Sequence, residues 1–269
     1  MTEQHPLGYF LNTRPTDRAQ PLTLALKQAG WHVDELPLLE LIPVPVSEQD
    51  QQVLRNLAVQ PPRVIVVVSP TAAQWGLHAL AELKLNVEAL PIRWLAVGHG
   101  TAHVLKTAGI SADVPELETS EGMIASSTLQ ELVIDELVMV WRGMGGRELV
   151  QESLLSRGVR LQVLNLYQRQ LPESSKALWV DYCATKRDSI KKYDKHQPHV
   201  VLLSSGESWR YWRELAGEQA LMPWLLVMGQ RLMDEVVPLT SQVRRITSLH
   251  PAHIVDVVTE IAASEDKIG

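Results

Sequence analysis

Short apolar runs alternate with amphipathic stretches along this chain, and the runs end alike. Residues 64–68, VIVVV, are five apolar positions in a row, the pattern of a strand buried on both faces. The run stops at Ser69-Pro70-Thr71, where a helix carrying Ala72, Trp75, Leu77 and Leu80 is predicted. Residues 9–13 read as a strand ending at Arg14-Pro15, with Asp17 helping to start a helix that reaches about Ala29 and stops at Gly30. Residues 94–97 form another short buried strand, which ends at Gly98-His99-Gly100-Thr101 before a helix that stops near Gly109. Ser120 reads as the N-cap of a further helix. Two later strands, 200–203 and 225–228, end at Ser204-Ser205-Gly206 and at Gly229-Gln230-Arg231.

The fullest unit is 137–167. An apolar run ending at Trp141 passes through Arg142-Gly143-Met144-Gly145-Gly146-Arg147 into a helical pattern with Leu149, Leu154 and Leu155 on one side. Gly158 stops that helix, and an extended run over 159–166 delivers Tyr167. Small residues in such a loop let backbone N–H groups approach an anion at a helix start. No Gly-Lys-Ser/Thr follows, and Glu148 occupies the third glycine position of a dinucleotide fingerprint. The loop therefore reads as an oxyanion-binding turn without nucleotide specificity, the alternative being a structural turn whose arginines stay solvated.

Two stretches break the alternation. Residues 31–46 carry prolines at 37, 43 and 45, which suit an extended connector better than a central strand. After Leu171-Pro172, residues 173–196 are charged and read as solvated helix and loop; a nucleic-acid patch is the alternative. There is also an internal repeat. Arg142 and Gly158 reproduce the spacing of Arg14 and Gly30, Leu154 falls where Leu26 does, and the pair Ser69 and Gly98 is echoed by Ser205 and Gly229. Two related α/β halves follow.

Composition narrows the function classes. A chain of 269 residues is long enough for two α/β domains with real cores. At 45% apolar residues it has the make-up of a soluble globular protein, and no apolar run approaches the roughly 18 residues of a membrane helix. The net charge of −6 argues against a general nucleic-acid binder. The first ten residues lack a secretory pattern, and the single Cys183 excludes an internal disulfide. A cytoplasmic protein is expected. His99 and His103 lie one helical turn apart, but no third ligand is near in sequence, so no metal is expected.

Strands that alternate with helices and end in Gly, Ser, Thr or Arg build open parallel sheets with a site at their carboxyl ends. Such loops follow Thr13, Val68, Val97, Trp141 and Leu203. With two sheets, the site is expected in a cleft between the loop edges.

Taken together, Thr13-Arg14-Pro15, Pro37-Leu38, Ser69-Pro70 with Ala72, Gly98 with Thr101-Ala102, Arg142-Gly143 with Gly146-Arg147, Gly158 with Tyr167, and Ser205 resemble the uroporphyrinogen-III synthase family. These are cyclising lyases of tetrapyrrole and heme biosynthesis. The resemblance implies two similar domains with parallel sheets flanked by helices, joined by a two-stranded extended linker, with the active site between them. It assigns 1–37 with 172–269 to one domain and 38–171 to the other, where the repeat alone would cut near the middle.

It also implies a reaction without a cofactor. Hydroxymethylbilane, a linear tetrapyrrole with eight carboxylates, loses its terminal hydroxyl as water and closes through a spirocyclic intermediate to uroporphyrinogen III with ring D inverted. Tyr167 would be the catalytic group, and Thr13, Arg14, Ser69, Gly98, His99, Thr101, Arg142, Gly143, Ser205 and Gly229 would bind substrate. Gly229-Gln230-Arg231-Leu232 departs from the pattern by lacking the hydroxyl that Thr101 supplies in the other half. No membrane, nucleic-acid or oligomeric partner is expected, and a monomer suffices. The rival class is a non-enzymatic two-domain module that binds an anionic small metabolite.

Overall fold

The computed structural model describes residues 6–146, 148–190 and 198–265. Its elements in chain order begin with β1 (Tyr9–Asn12), α1 (Thr16–Gln28), β2 (His32–Glu35), β3 (Glu40–Pro43), α2 (Glu48–Arg55), β4 (Val64–Val67) and α3 (Pro70–Glu82). Next come β5 (Arg93–Ala96), α4 (His99–Thr107), α5 (Ser120–Ala125), α6 (Ser127–Gln130), β6 (Leu137–Gly143), α7 (Leu149–Ser156) and β7 (Arg160–Gln170). The last third holds α8 (Glu173–Ile190), β8 (His199–Leu203), α9 (Gly206–Ala216), β9 (Trp224–Met228), α10 (Gly229–Val236), β10 (Val243–Ile246) and α11 (Pro251–Glu265).

The chain divides into two compact units, Met1–Glu40 with Gln170–Gly269, and Leu41–Arg169. It passes from the first to the second within β3 and returns at the end of β7. The first unit holds a sheet of order β10-β9-β8-β1-β2 whose pairings are all parallel. The other sheet has the order β3-β7-β6-β4-β5, and β4–β5, β4–β6 and β6–β7 are parallel.

Strand periodicity divides each sheet between two helical layers. In β4, Ile65 and Val67 pack with Ala72, Leu80, Leu105 and Trp141, whereas Val64 and Val66 pack with Met123, Leu129, Val150 and Leu154. In the first unit, Phe10, Val200 and Leu202 meet Leu22, Leu26, Ile254 and Val258, while Leu11, Val201 and Leu203 meet Trp209, Trp212 and Leu232. Asn12, fully buried at the end of β1, donates to Ala19 O at 3.1 Å and Thr23 Oγ1 at 2.9 Å, tying α1 to its strand.

The internal repeat is visible in both units. Leu26 and Leu154 are both core residues, and Gly30 and Gly158 end their helices at φ 87° and 76°. The order β9-β8-β1-β2 is matched by β5-β4-β6-β7, and a parallel bridge from Leu95 to Asp113 stands where β10 does.

Several elements differ from their sequence patterns. In α7 the inward residues are Val150 and Leu154, one turn apart; Leu149 and Leu155 are exposed, so the predicted face is rotated. Thr119, not Ser120, caps α5, its side chain accepting from Gly122 N–H at 3.1 Å. The proline-rich connector contributes β2 and β3, each at a sheet edge where proline is tolerated. The strand before Tyr167 does not stop there but runs through it to Gln170. Sequence patterns missed β10 and α11 altogether. Arg147 and the end of the charged segment, 191–196, lie outside the described residues. Among the described residues, no helix is long and apolar enough to cross a membrane.

Candidate functional site

In the second unit the carboxyl ends of β4, β5 and β6 converge on a cavity of about 390 Å³ beside β7. Its lining includes Ser69, Glu118, Thr119, Arg142, Gly143, Gln151, Tyr167 and Arg169. Tyr167 reaches it through an irregularity in pairing. Arg142 pairs with Asn165, but Gly143 pairs with Tyr167, so Leu166 is passed over between β6 and β7. A bulge of this kind breaks the alternation of faces. Leu166 and Tyr167 are accordingly both buried, in one core cluster.

The Tyr167 ring lies against the backbone of Gly143, where an added Cβ would be 2.5 Å from Tyr Cζ. Only glycine permits that approach. The Tyr167 carbonyl accepts from Met144 N–H at 2.8 Å, which fixes the strand to the loop. Its hydroxyl lies 3.1 Å from Ser69 Oγ. Ser69 caps α3, accepting from Ala72 N–H at 3.0 Å. With that lone pair used, its own proton and a second lone pair remain for Tyr167. Arg169 adds a guanidinium 5.8 Å from the Tyr167 ring centroid.

Arg142 is only 4% exposed and braces its own loop. It donates to Gly143 O at 3.1 Å, to Gly146 O at 2.5 Å and to Gln151 Oε1, with Glu148 at 3.5 Å. In sequence the loop reads as N–H groups offered to an anion. In the structure the Gly143 and Gly146 carbonyls turn to Arg142, and the Met144 N–H is taken by Tyr167, because a buried guanidinium must be satisfied nearby.

The other predicted residues of this unit are placed differently. Gly98 follows β5, and a Cβ on it would overlap the Glu118 carboxylate, with Glu118 Cδ 2.6 Å away. Thr101 is 1% exposed, and its Oγ1 has no hydrogen-bond partner among the described residues. His99 lines a separate surface pocket with His103 and Lys106, away from Tyr167. Among the described residues no group of three His, Cys, Asp or Glu side chains could hold a metal ion.

In the first unit, Thr13, Arg14, Ser205 and Gly229 follow β1, β8 and β9 at their carboxyl ends. The Thr13 hydroxyl donates to Leu202 O, pinning β1 to β8. Arg14 donates to Leu249 O at 3.4 Å. Burial lowers its guanidinium below the ordinary value, Arg18 adding to the fall and Asp17 opposing it. Ser205 and Ser208 form a reciprocal capping box on α9, with N···O distances of 2.9 and 3.1 Å. Gly229 opens α10 at φ 81°. A cavity of about 280 Å³ at the amino ends of these strands includes Tyr9, Trp179, Trp212 and Trp224 in its lining. None of the predicted site residues lines it.

Sequence reasoning missed Glu118, Thr119, Gln151 and Arg169. Arg169 was accessible in principle: it stands two residues beyond Tyr167 on one strand, hence on the same face. Thr119 precedes Ser120-Glu121-Gly122, and two adjacent hydroxyls ahead of a helix leave the cap ambiguous.

Comparison with known proteins gives one consistent result. A family model described as uroporphyrinogen-III synthase HemD matches residues 20–235. The chain is 29% identical over 180 residues to the uroporphyrinogen-III synthase of Proteus mirabilis, covering 64% of this chain and 82% of that one. It is 26% identical over 237 residues to that of Escherichia coli (strain K12), covering 83% and 88%. In fold it is similar to a mutant uroporphyrinogen III synthase from the extremely thermophilic bacterium Thermus thermophilus, with a TM-score of 0.59 at 15% identity over 96% of this chain and 99% of that one. The uroporphyrinogen-III synthetase of Helicobacter pylori 26695 gives 0.53 at 13% identity over 94% and 99%.

Proposed function

The chain belongs to the uroporphyrinogen-III synthase family, cyclising lyases of heme biosynthesis, and from that premise we propose that it closes hydroxymethylbilane to uroporphyrinogen III with Tyr167 as proton donor. The observation that carries the residue assignment is the Tyr167 hydroxyl, in a cavity and 3.1 Å from a serine whose proton is still available.

The Tyr167 O–H gives its proton to the terminal hydroxyl of the bilane, the C–O bond breaks, and water leaves. Electron density from the pyrrole nitrogen fills the carbon left behind, giving an azafulvene cation. Ser69 O–H donates to the phenolate oxygen, which lowers the cost of the transferred proton. Attack by the substituted carbon of ring D forms the spirocyclic intermediate; fragmentation and reclosure invert the ring, and the proton lost on rearomatisation restores the phenol. The site holds the chain ends in the geometry for attack at the substituted carbon, since free closure gives the symmetrical isomer.

Carboxylates of the substrate are held by Arg169 and by the hydroxyl and backbone groups of Ser69, Gly98, Thr101 and Gly143 in the second unit. Thr13, Arg14, Ser205 and Gly229 serve the same end in the first. Arg142 shapes the loop that carries Gly143. The single Cys183 and a water-soluble polycarboxylate substrate suit the cytoplasm.

The test is to supply freshly generated hydroxymethylbilane and resolve the isomers. Type III product is expected. Type I alone, at the uncatalysed rate, would remove the cyclase reading.

A further inference from the structure

We infer that Glu118 is a specificity-determining residue of this site: its carboxylate holds the place against Gly98 that a substrate carboxylate takes, and so competes with substrate. The inference rests on the cyclase reading above.

The close approach is the first observation. Glu118 lines the Tyr167 cavity, and its carboxylate lies where a Gly98 Cβ would be. Gly98 is the N-cap of α4 and makes no side-chain cap bond, so the first N–H groups of a nine-residue helix begin there. A carboxylate is the group that such a helix start favours. The second observation is independent. Thr101, on the first turn of the same helix, is 1% exposed and leaves its Oγ1 without a partner among the described residues. A buried hydroxyl of that kind calls for an acceptor or donor that the described residues do not supply.

Glu118 itself makes no hydrogen bond or ion pair with another described residue. It is positioned but not fastened, so an incoming carboxylate displaces it without breaking a bond. Of the cationic side chains lining the cavity, Arg142 is already engaged by the carbonyls of its own loop. A site built only to attract a polycarboxylate has no use for an unfastened glutamate at this position. One that must also release a polycarboxylate product, and reject bilanes lacking the matching acid group, does.

The experiment compares wild type with Glu118→Gln and Glu118→Ala, using hydroxymethylbilane for kinetics and uroporphyrinogen III for affinity. Removal of one like charge from beside a bound carboxylate lowers KM and tightens product binding, each by ~5-fold. Both variants should show it, Glu118→Gln with its side-chain volume retained. Unchanged or raised KM, with unchanged or weakened product affinity, in both variants overturns the inference. If wild type makes no type III isomer, the cyclase reading fails on its own account, and uroporphyrinogen III affinity still decides the role of Glu118.

Discussion

Tyr167 Oη stands 3.1 Å from Ser69 Oγ, joining a strand residue to the cap of a helix nearly a hundred positions earlier in the chain. The phenol therefore has a fixed direction and a neighbour able to donate to it. Tyr167→Phe keeps the ring over Gly143 and removes only the hydroxyl. Type III formation should fall by about 10²-fold or more, the scale of a lost general acid. The unfolding free energy should change by no more than about 1 kcal/mol, one hydrogen bond. Isomer-resolved kinetics and urea unfolding measure the two; undiminished turnover would take Tyr167 out of the mechanism.

Ser69 has two tasks that separate experimentally. Ser69→Ala removes the α3 cap, worth about 1 kcal/mol, and leaves the phenolate of Tyr167 without its donor. The Ser69→Ala, Tyr167→Phe cycle should show coupling in kcat, because the serine acts on the reaction through the tyrosine. Stability losses should be nearly additive apart from the shared hydrogen bond. If the two kcat effects multiply independently, Ser69 serves the helix alone.

Much of the fold was readable from Val64 to Val67 and from the spacing of Arg14 with Gly30 against Arg142 with Gly158. A strand buried on both faces leaves no other pattern, and a helix that ends at positive φ calls for glycine. The site was legible only where its residues sit at strand ends. Tyr167 enters the cavity because the β6–β7 register slips by one residue after Arg142, and no local signal marks a register. Glu118 comes from a loop that folds back on Gly98, a contact set by tertiary packing alone. Nor does the helical period of 149–156 say which of two apolar stripes turns inward, which is why Val150 displaced Leu149 and Leu155.

Gly143 tests whether that register matters. A methyl group there would meet Tyr167 Cζ at 2.5 Å and Cε2 at 2.6 Å, too close for either side to yield without moving the ring or the strand. Gly143→Ala should cost about 1–3 kcal/mol, as overpacking in a filled core does. Activity should fall further than Gly143→Ala destabilises, since the displaced ring carries the hydroxyl away from Ser69. Retained turnover with a lowered unfolding midpoint would show that the ring position is not critical.

Arg142 poses the opposite question, whether a buried cation near a carboxylate-rich substrate acts on the substrate or on its own loop. Its guanidinium spends all three nitrogens on Gly143 O, Gly146 O, Gln151 and Glu148. Arg142→Met keeps the apolar stem and strips those bonds, leaving two loop carbonyls without their donor. Each unsatisfied group costs ~1–3 kcal/mol, so with two of them the substrate-free protein should lose roughly 2–6 kcal/mol of stability in urea unfolding. Arg142→Lys should recover little, because one ammonium cannot span the same fork of acceptors. The loop carries Gly143 and so the seat of Tyr167, which places the kinetic loss chiefly in kcat. A large rise in KM at unchanged stability would instead mean that the guanidinium leaves its loop to hold substrate.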